Sequence, residues 1–204
     1  ALGFFAKKSV LFINLNKENQ MAISTNGAII TRLAGALYGE YLSNASYTEV
    51  STTAPATVAA NWLTNDFAGK TDAQIATTIL TNLGLTSITG LNNWVAAQLT
   101  AAGAANKGAK IVSLLNDFAN LTSDATYGSY ATTFNTKTSS ALALSQTSGS
   151  AGGDFAAAAT LAAAEAAAKA AADAAAAAAA AAAKAAADAA AAKAAADAAA
   201  AAEA

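Results

Sequence analysis

Two tryptophans, Trp62 and Trp94, stand beside amide side chains and are the residues best suited to recognise a ligand. A tryptophan ring offers a flat apolar face and one N–H donor, so it can stack on a sugar ring. Asn92 and Asn93 precede Trp94, and their amide groups can hydrogen-bond to sugar hydroxyls. The sequence therefore offers Trp62, Trp94, Asn92 and Asn93 as a candidate glycan-binding set.

The same tryptophans also suit the core of a helical domain. Trp62 precedes Leu63 and Phe67, and Trp94 precedes Val95, with the spacing of an apolar helix face. This spacing favours the core role over the glycan role. If both rings are core residues, replacing either by alanine costs about 3–5 kcal/mol of stability.

Four aspartates, Asp66, Asp72, Asp117 and Asp124, could give oxygen ligands to calcium. None lies in an EF-hand loop, and the sequence has no Gly-Gly-x-Gly-x-Asp repeat. Asp72 and Asp124 instead precede helical patterns, where a negative charge favours the helix dipole. We therefore expect no metal, cofactor or catalytic site in this segment, and we place any calcium beyond Ala204 or at contacts between subunits.

Composition narrows the function classes further. The chain has no Cys and no His, which excludes disulfides, thiolate metal sites and His-dependent catalysis. Its formal net charge is −2 and it has no basic patch, which argues against nucleic-acid binding. The apolar run Val10–Leu15 is too short to span a bilayer. We expect a non-enzymatic protein without a transmembrane segment.

Helical periodicity organises the middle of the chain. Pro55 suits a first helical position, Thr71 and Gln74 form a capping-box pattern, and Gly84 and Gly103 suit helix ends. The stretch from Asn44 to Ala54 is expected to be a loop. The predicted helices cover Met21–Ser43, Pro55–Gly69, Thr71–Gly84, Leu91–Gly103, Ile111–Leu121 and Tyr127–Leu142.

The last fifty residues are almost pure alanine, the strongest helix former. Asp154 can cap a helix, and charged pairs four residues apart, such as Lys184 and Asp188, support it weakly. The charges mark no constant polar face, and no Leu or Ile seam runs along the segment, so a coiled coil is disfavoured. We interpret the tail as a rigid spacer of the Glu-Ala-Ala-Ala-Lys type, with packing in an assembly as the alternative.

The first twenty residues differ from the rest. Met21 resembles a native start, so residues 1–20 are expected to be an upstream extension, a cloning remnant or a misassigned start. Ser9–Leu15 is the one stretch that suggests a strand. Removing residues 1–20 is expected to leave the fold intact, although their apolar side chains, Phe4, Phe5, Leu11, Phe12 and Ile13, need cover on the domain or on a neighbouring subunit.

These observations predict an all-α protein, a small multi-helix domain followed by one long alanine-rich helix. The expected parts are an extension (1–20), a helical anchoring or assembly domain (21–147), a Gly/Ser hinge (148–153) and a helical rod (154–204). The rod is expected to make almost no contact with residues 21–146.

Residues 71–145 resemble a recurrent helical module. The matching elements are Leu83-Gly84, then Gly90-Leu91-x-x-Trp94, then the apolar helix from Ile111 to Leu121. The module usually has Arg after the first glycine, where this chain has Leu85, and an Asp-rich turn, where it has Thr86-Ser87. The module is found near the N-termini of secreted surface-layer (S-layer) proteins of Gram-negative bacteria, which residues 71–145 therefore resemble. These proteins are often of the RTX type and are exported by type I secretion.

The resemblance implies an extracellular structural protein at the bacterial cell surface. Its implied role is anchoring and self-assembly of a surface layer, and its implied partners are copies of itself and lipopolysaccharide. An export signal is then expected beyond Ala204. The alternative is a self-assembling filament or array subunit that binds no glycan.

Overall fold

The structure, a computed structural model, describes residues 26–202, and the side chains of residues 26–193. The described chain is all-α, as predicted. The predicted strand Ser9–Leu15 and the extension 1–20 lie outside the described residues. The elements are α1 (26–38), β1 (Glu40–Tyr41), α2 (Asn44–Val50), α3 (Pro55–Asn65), α4 (Asp72–Leu83), α5 (Leu91–Ala119), a 3₁₀ turn (Leu121–Ser123), α6 (Gly128–Gln146), β2 (Gly153–Asp154) and α7 (Ala158–Ala202).

Helix α1 is the centre of the core. Its residues Ile30, Leu33 and Ala34 are fully buried. The helix is tied to α4 by Asn82, whose amide donates to the Ala36 carbonyl at 3.0 Å. It is tied to α5 by Arg32, which donates to Asn116 Oδ1 at 2.9 Å. Because α1 is covered on several sides, its small residues are packing positions rather than surface positions.

Three local sequence signals for helix ends have the structural effect that the sequence predicts. Thr71 and Gln74 form both bonds of the capping box at the start of α4. Gly84 ends that helix in the left-handed conformation, with φ of 73°. Gly103, with φ of 70° and ψ of 168°, divides α5 into a first arm (91–102) and a second arm (104–119). The predicted fourth and fifth helices are these two arms.

The predicted loop from Asn44 to Ala54 is wrong, because Asn44–Val50 form helix α2. Its N-terminus is capped by Ser43, whose hydroxyl accepts from the Ser46 N–H. Tyr47 is buried and anchors α2 to α6 through a hydrogen bond from Gln146. Helix α2 has seven residues, of which Tyr47 is buried. It is therefore too short for a repeating apolar pattern to be recognised in the sequence.

The expected hinge and the start of the tail belong to the domain. Gly153 and Asp154 pair antiparallel with Tyr41 and Glu40. The Phe155 N–H donates to the Gly39 carbonyl at 2.9 Å, and the Phe155 ring is buried. Ala158 is also buried. The expectation that the chain from 154 onward stays clear of the domain is therefore wrong for these residues, and the compact unit extends to Ala162.

The tail unit is helical from 163 to 202 and belongs to α7. Every residue from 163 to 193 is exposed. Lys169 forms an ion pair with Asp173, and Lys184 forms one with Asp188, each at 2.6 Å. These exposed pairs contribute a few tenths of a kcal/mol, so alanine propensity supplies most of the helix stability.

An isolated peptide of residues 158–202 is expected to be strongly helical in water at low temperature. Its length and alanine content offset the cost of nucleating the first turn. Circular dichroism measures this directly. Ala180→Pro is the matched control and should lower the signal sharply, because proline in a helix interior costs about 3 kcal/mol. A disordered spectrum for the parent peptide contradicts the prediction.

Candidate functional site

An apolar cleft of about 550 Å³ opens on the surface of the described domain. It lies between the end of α4, the turn that follows, and both arms of α5, and it reaches the 3₁₀ turn. The side chains on the α4 side are Ile79, Leu80, Leu83 and Leu85, and those on the first arm of α5 are Leu91, Trp94 and Val95. The opposite wall consists of Ile111, Leu114, Leu115, Phe118, Leu121 and Tyr127.

Backbone breaks on either side of the first arm of α5 create this concavity. Gly84 ends α4 and lets the chain turn towards Leu85, which is buried. Gly103 then breaks the helix, and side chains from both arms line the cleft. Both glycines have positive φ, a conformation that side-chain-bearing residues rarely adopt. The cleft is therefore encoded by helix-ending signals as much as by its apolar walls.

Side-chain bonds hold the first arm of α5 against α4. Asn92 Nδ2 donates to Thr77 Oγ1 at 2.8 Å, and Thr100 Oγ1 donates to Asp72 Oδ2 at 2.8 Å. Lys107, on the second arm, forms an ion pair with the same Asp72. The hydrogen bond from Lys107 keeps the pKa of Asp72 below its usual value. One carboxylate thus links α4 to both arms of α5.

The chemistry of the cleft is that of an apolar receptor. Its lining is mainly aliphatic and aromatic, with polar side-chain groups at Thr89, Trp94, Asp117 and Tyr127. Pockets for small molecules are commonly about 300–1,000 Å³ with a few polar groups that set orientation. A sugar would leave many hydroxyls without partners here, and an unpaired buried hydroxyl costs roughly 1–3 kcal/mol. The walls suit apolar side chains or hydrocarbon.

The four predicted glycan residues do not form one site. Trp94 is on the cleft wall and is 52% exposed, so its predicted role as a core residue is wrong. Asn92 is engaged with Thr77, and Asn93 is exposed next to Trp94. Trp62 belongs to a separate aromatic cluster, with its ring centroid 5.2 Å from that of Tyr38. The cleft brings together Trp94 and residues that the glycan prediction did not include.

The Trp62 cluster is better described as packing at the edge of the core. Trp62 is partly buried and contacts the core, and Tyr38 also lies against Phe67. The Tyr38 hydroxyl donates to Asp66 Oδ2 at 2.5 Å. Burial and this bond to a carboxylate raise the pKa of Tyr38. The cluster joins α1 to α3.

Sequence reasoning missed the facing wall of the cleft, namely Leu114, Phe118 and Tyr127. Periodicity identified Leu114 and Phe118 as one apolar face of a helix, and it could not distinguish a wall that faces a cleft from one that faces the core. The available signal was Gly103, because a helix break there allows the apolar faces of two helices to contribute to one cleft. Tyr127 precedes α6 and had no pattern that linked it to α5.

The two tryptophans are expected to respond differently to mutation. Trp62→Ala should lower the free energy of unfolding by about 2–3 kcal/mol, because partly buried aromatic contacts are lost. Trp94→Ala should lower it by about 1 kcal/mol, because half of that ring is already in water. Urea denaturation of both variants measures the difference. Equal, large losses would contradict the exposed position of Trp94.

The remaining aspartates are used locally. Asp124 Oδ1 accepts from the N–H groups of Thr126 and Tyr127, each at 2.8 Å, and these bonds keep the pKa of Asp124 low. Asp66 accepts from Tyr38. Asp117 is in the cleft lining. Within the described part of the chain, no three acidic, His or Cys side chains converge on a point that could hold a metal ion.

Among the described helices, none combines the length and the apolarity that a membrane span requires. Comparisons with protein-family models, with curated proteins and with solved structures give no match to this chain.

Proposed function

We propose that this chain is an anchoring and assembly region of a bacterial surface-layer protein, with a structural role outside the cell. One observation carries the proposal. The three sequence elements that resemble the surface-layer module all contribute to the same cleft. These elements are Leu83-Gly84, Gly90 to Trp94, and Ile111 to Leu121, and side chains from each of them line the walls.

Convergence of this kind favours a recognition surface over simple packing. Residues that serve only the core need not expose a tryptophan, and Trp94 is half in water. Tryptophan is a frequent anchor in protein interfaces, because it combines a large apolar area with one donor. The helical tail beyond Ala162 would then act as a spacer between this surface and other parts of an assembly.

Two partners fit the proposal to different degrees. Lipopolysaccharide is the partner implied by the resemblance, and Trp94 with the exposed Asn93 offers a ring and an amide for its sugars. The apolar lining favours the second candidate, an assembly of protein subunits without glycan. Leu85 strengthens this second candidate, since it places an apolar side chain where the module usually has Arg.

Binding of the 1–204 chain to purified lipopolysaccharide, together with sedimentation velocity, tests the proposal. Each is measured with and without calcium. Retention on lipopolysaccharide that falls in Trp94→Ala and Asn93→Ala, but not in Trp62→Phe, supports glycan anchoring. Concentration-dependent assembly without lipopolysaccharide supports the assembly candidate. Neither retention nor assembly, in both calcium conditions, would remove the proposal.

A further inference from the structure

The apolar cleft has a carboxylate at its edge. Among the described residues that line the cleft, Asp117 is the only charged one, and it is exposed. The Ser113 hydroxyl donates to Asp117 Oδ2 at 3.4 Å, which is long for a hydrogen bond between oxygens. Among the described residues Asp117 forms no ion pair. The cleft therefore carries a negative charge that no described cation of the chain neutralises.

A second carboxylate lies close to the same wall. Asp124 Oδ1 accepts from the Tyr127 N–H at 2.8 Å, and Tyr127 lines the cleft. This backbone bond keeps the pKa of Asp124 low, so its carboxylate stays ionised at neutral pH. The two lysines of the second arm do not offset these charges, because Lys107 is paired with Asp72 and Lys110 is outside the lining. This part of the cleft favours a positively charged ligand group.

Aromatic rings line the same cleft as the carboxylate. They belong to Trp94, Phe118 and Tyr127. Trp94 is 52% exposed, and among the ring contacts of the described residues none involves Trp94 or Tyr127, so other rings do not occupy their faces. A cation within about 6 Å of a ring centroid is attracted by the face of the ring, most strongly for tryptophan. Such rings recognise quaternary ammonium groups in proteins, and Asp117 adds the opposite charge.

The rest of the cleft calls for an apolar ligand body. Its remaining walls are mostly leucine, isoleucine and valine side chains. The volume of about 550 Å³ is within the range of roughly 300–1,000 Å³ that small-molecule sites occupy. A bare ammonium ion would leave these walls in water, and a bare hydrocarbon would leave the carboxylate without a counter-charge. A ligand that has both parts complements the whole cleft.

We propose that the cleft binds a small cationic amphiphile, free in solution, with one alkylammonium group and an alkyl or aryl body. The ammonium group lies between the Asp117 carboxylate and the aromatic rings, and the body lies against the apolar walls. This inference does not rest on the surface-layer proposal, because it concerns a small molecule in the cleft. Retention on lipopolysaccharide and titration with an amphiphile are separate measurements, so either can fail alone.

Decyltrimethylammonium, used below its critical micelle concentration, is the probe. In the 1–204 chain with Trp62→Phe, Trp94 is the one tryptophan and reports on the cleft. Its emission should change in a saturable titration, and isothermal titration calorimetry should give the same Kd. Decyl sulfate has the same chain and the opposite charge, and it should bind about tenfold more weakly, equivalent to about 1.4 kcal/mol. Tetramethylammonium, which lacks the chain, and decanol, which lacks the charge, should each bind more weakly than the probe.

Two variants test the placement of the ammonium group by calorimetry. Asp117→Asn should weaken decyltrimethylammonium binding about fivefold, in the range measured for exposed ion pairs, and leave decanol binding unchanged. Trp94→Leu should also weaken binding of the cation more than binding of decanol. Glu49→Gln is the matched control, since it removes an exposed carboxylate outside the lining, and it should bind as the parent does. Far-UV circular dichroism of each variant checks that the fold is retained.

Several results would overturn the proposal. Decyl sulfate binding as tightly as the cation would show that charge does not select the ligand, and full affinity in Asp117→Asn would place the ammonium group elsewhere. Binding only above the critical micelle concentration would show adsorption to a micelle. Retention on phosphatidylcholine vesicles without binding of the free probe would assign the cleft to a membrane headgroup. Dimers in sedimentation velocity that Leu114→Asp dissociates, again without binding of the probe, would assign it to a second copy of the chain.

Discussion

Replacing Phe155 by alanine is expected to lower the free energy of unfolding by about 3–5 kcal/mol, the usual range for a buried phenylalanine. Phe155 is 2% exposed, and its ring centroid is 6.0 Å from that of Phe134. The ring lies directly over Gly35 of α1, where a Cβ added to the glycine would be only 2.7 Å from ring carbons. Truncation would leave a cavity between α1 and α6 that the fixed backbone cannot close.

Chemical denaturation of Phe155→Ala beside Leu161→Ala provides the measurement. Leu161 is 43% exposed and follows Phe155 by six residues, so its variant should change stability by less than about 1 kcal/mol. Two shortened chains extend the comparison. A chain that ends at Ala162 should keep the parent midpoint, whereas one that ends at Gly152 should lose stability as Phe155→Ala does. Equal stability of the two shortened chains would contradict the assignment of residues 153–162 to the domain.

Phe155 also shows where sequence reasoning fails. Composition indicated a boundary at Gly153, since glycines and serines precede it and alanines follow. The structure instead pairs Gly153 with Tyr41 and buries Phe155. A single aromatic residue between a Gly-rich turn and an alanine run has no periodic partners. Its partner, Gly35, lies far earlier in the chain, and only the tertiary fold reveals that contact.

The local elements could be predicted because their causes are local. The Thr71 and Gln74 capping box and the left-handed Gly84 depend on residues within one helical turn. The break at Gly103 was also visible. The cleft could not be predicted as a cleft, since its existence depends on how far Leu83 and Phe118 stand apart across two helices. Apolar spacing gives the face of a helix and not the distance to the opposite face.

Gly108→Val is expected to lower the free energy of unfolding by about 3 kcal/mol, at the upper end of the usual cost of overpacking. Gly108 is buried in the second arm of α5, where that arm crosses α3. A Cβ at this position would lie 2.7 Å from the Ala60 backbone nitrogen and 2.9 Å from the Ala56 carbonyl oxygen. These are main-chain atoms of a helix, so they cannot move aside as the end of a flexible side chain can.

Glycine in a helix interior is less favourable than alanine by roughly 0.5–1 kcal/mol. The close packing of α5 on α3 that Gly108 permits must therefore contribute more stability than this loss. At an uncrowded site, replacing glycine would stabilise the helix. Ala109→Val, at the next, exposed position, is the matched control and should cost only the lower helix propensity of valine, below about 0.7 kcal/mol. Thermal and urea melts of both variants give the comparison. Because the second arm of α5 also forms the far wall of the cleft, a shifted arm should change Trp94 emission when Gly108→Val is made in a Trp62→Phe background, where Trp94 is the one tryptophan. A Gly108→Val protein as stable as Ala109→Val would show that α3 and α5 do not cross at this distance.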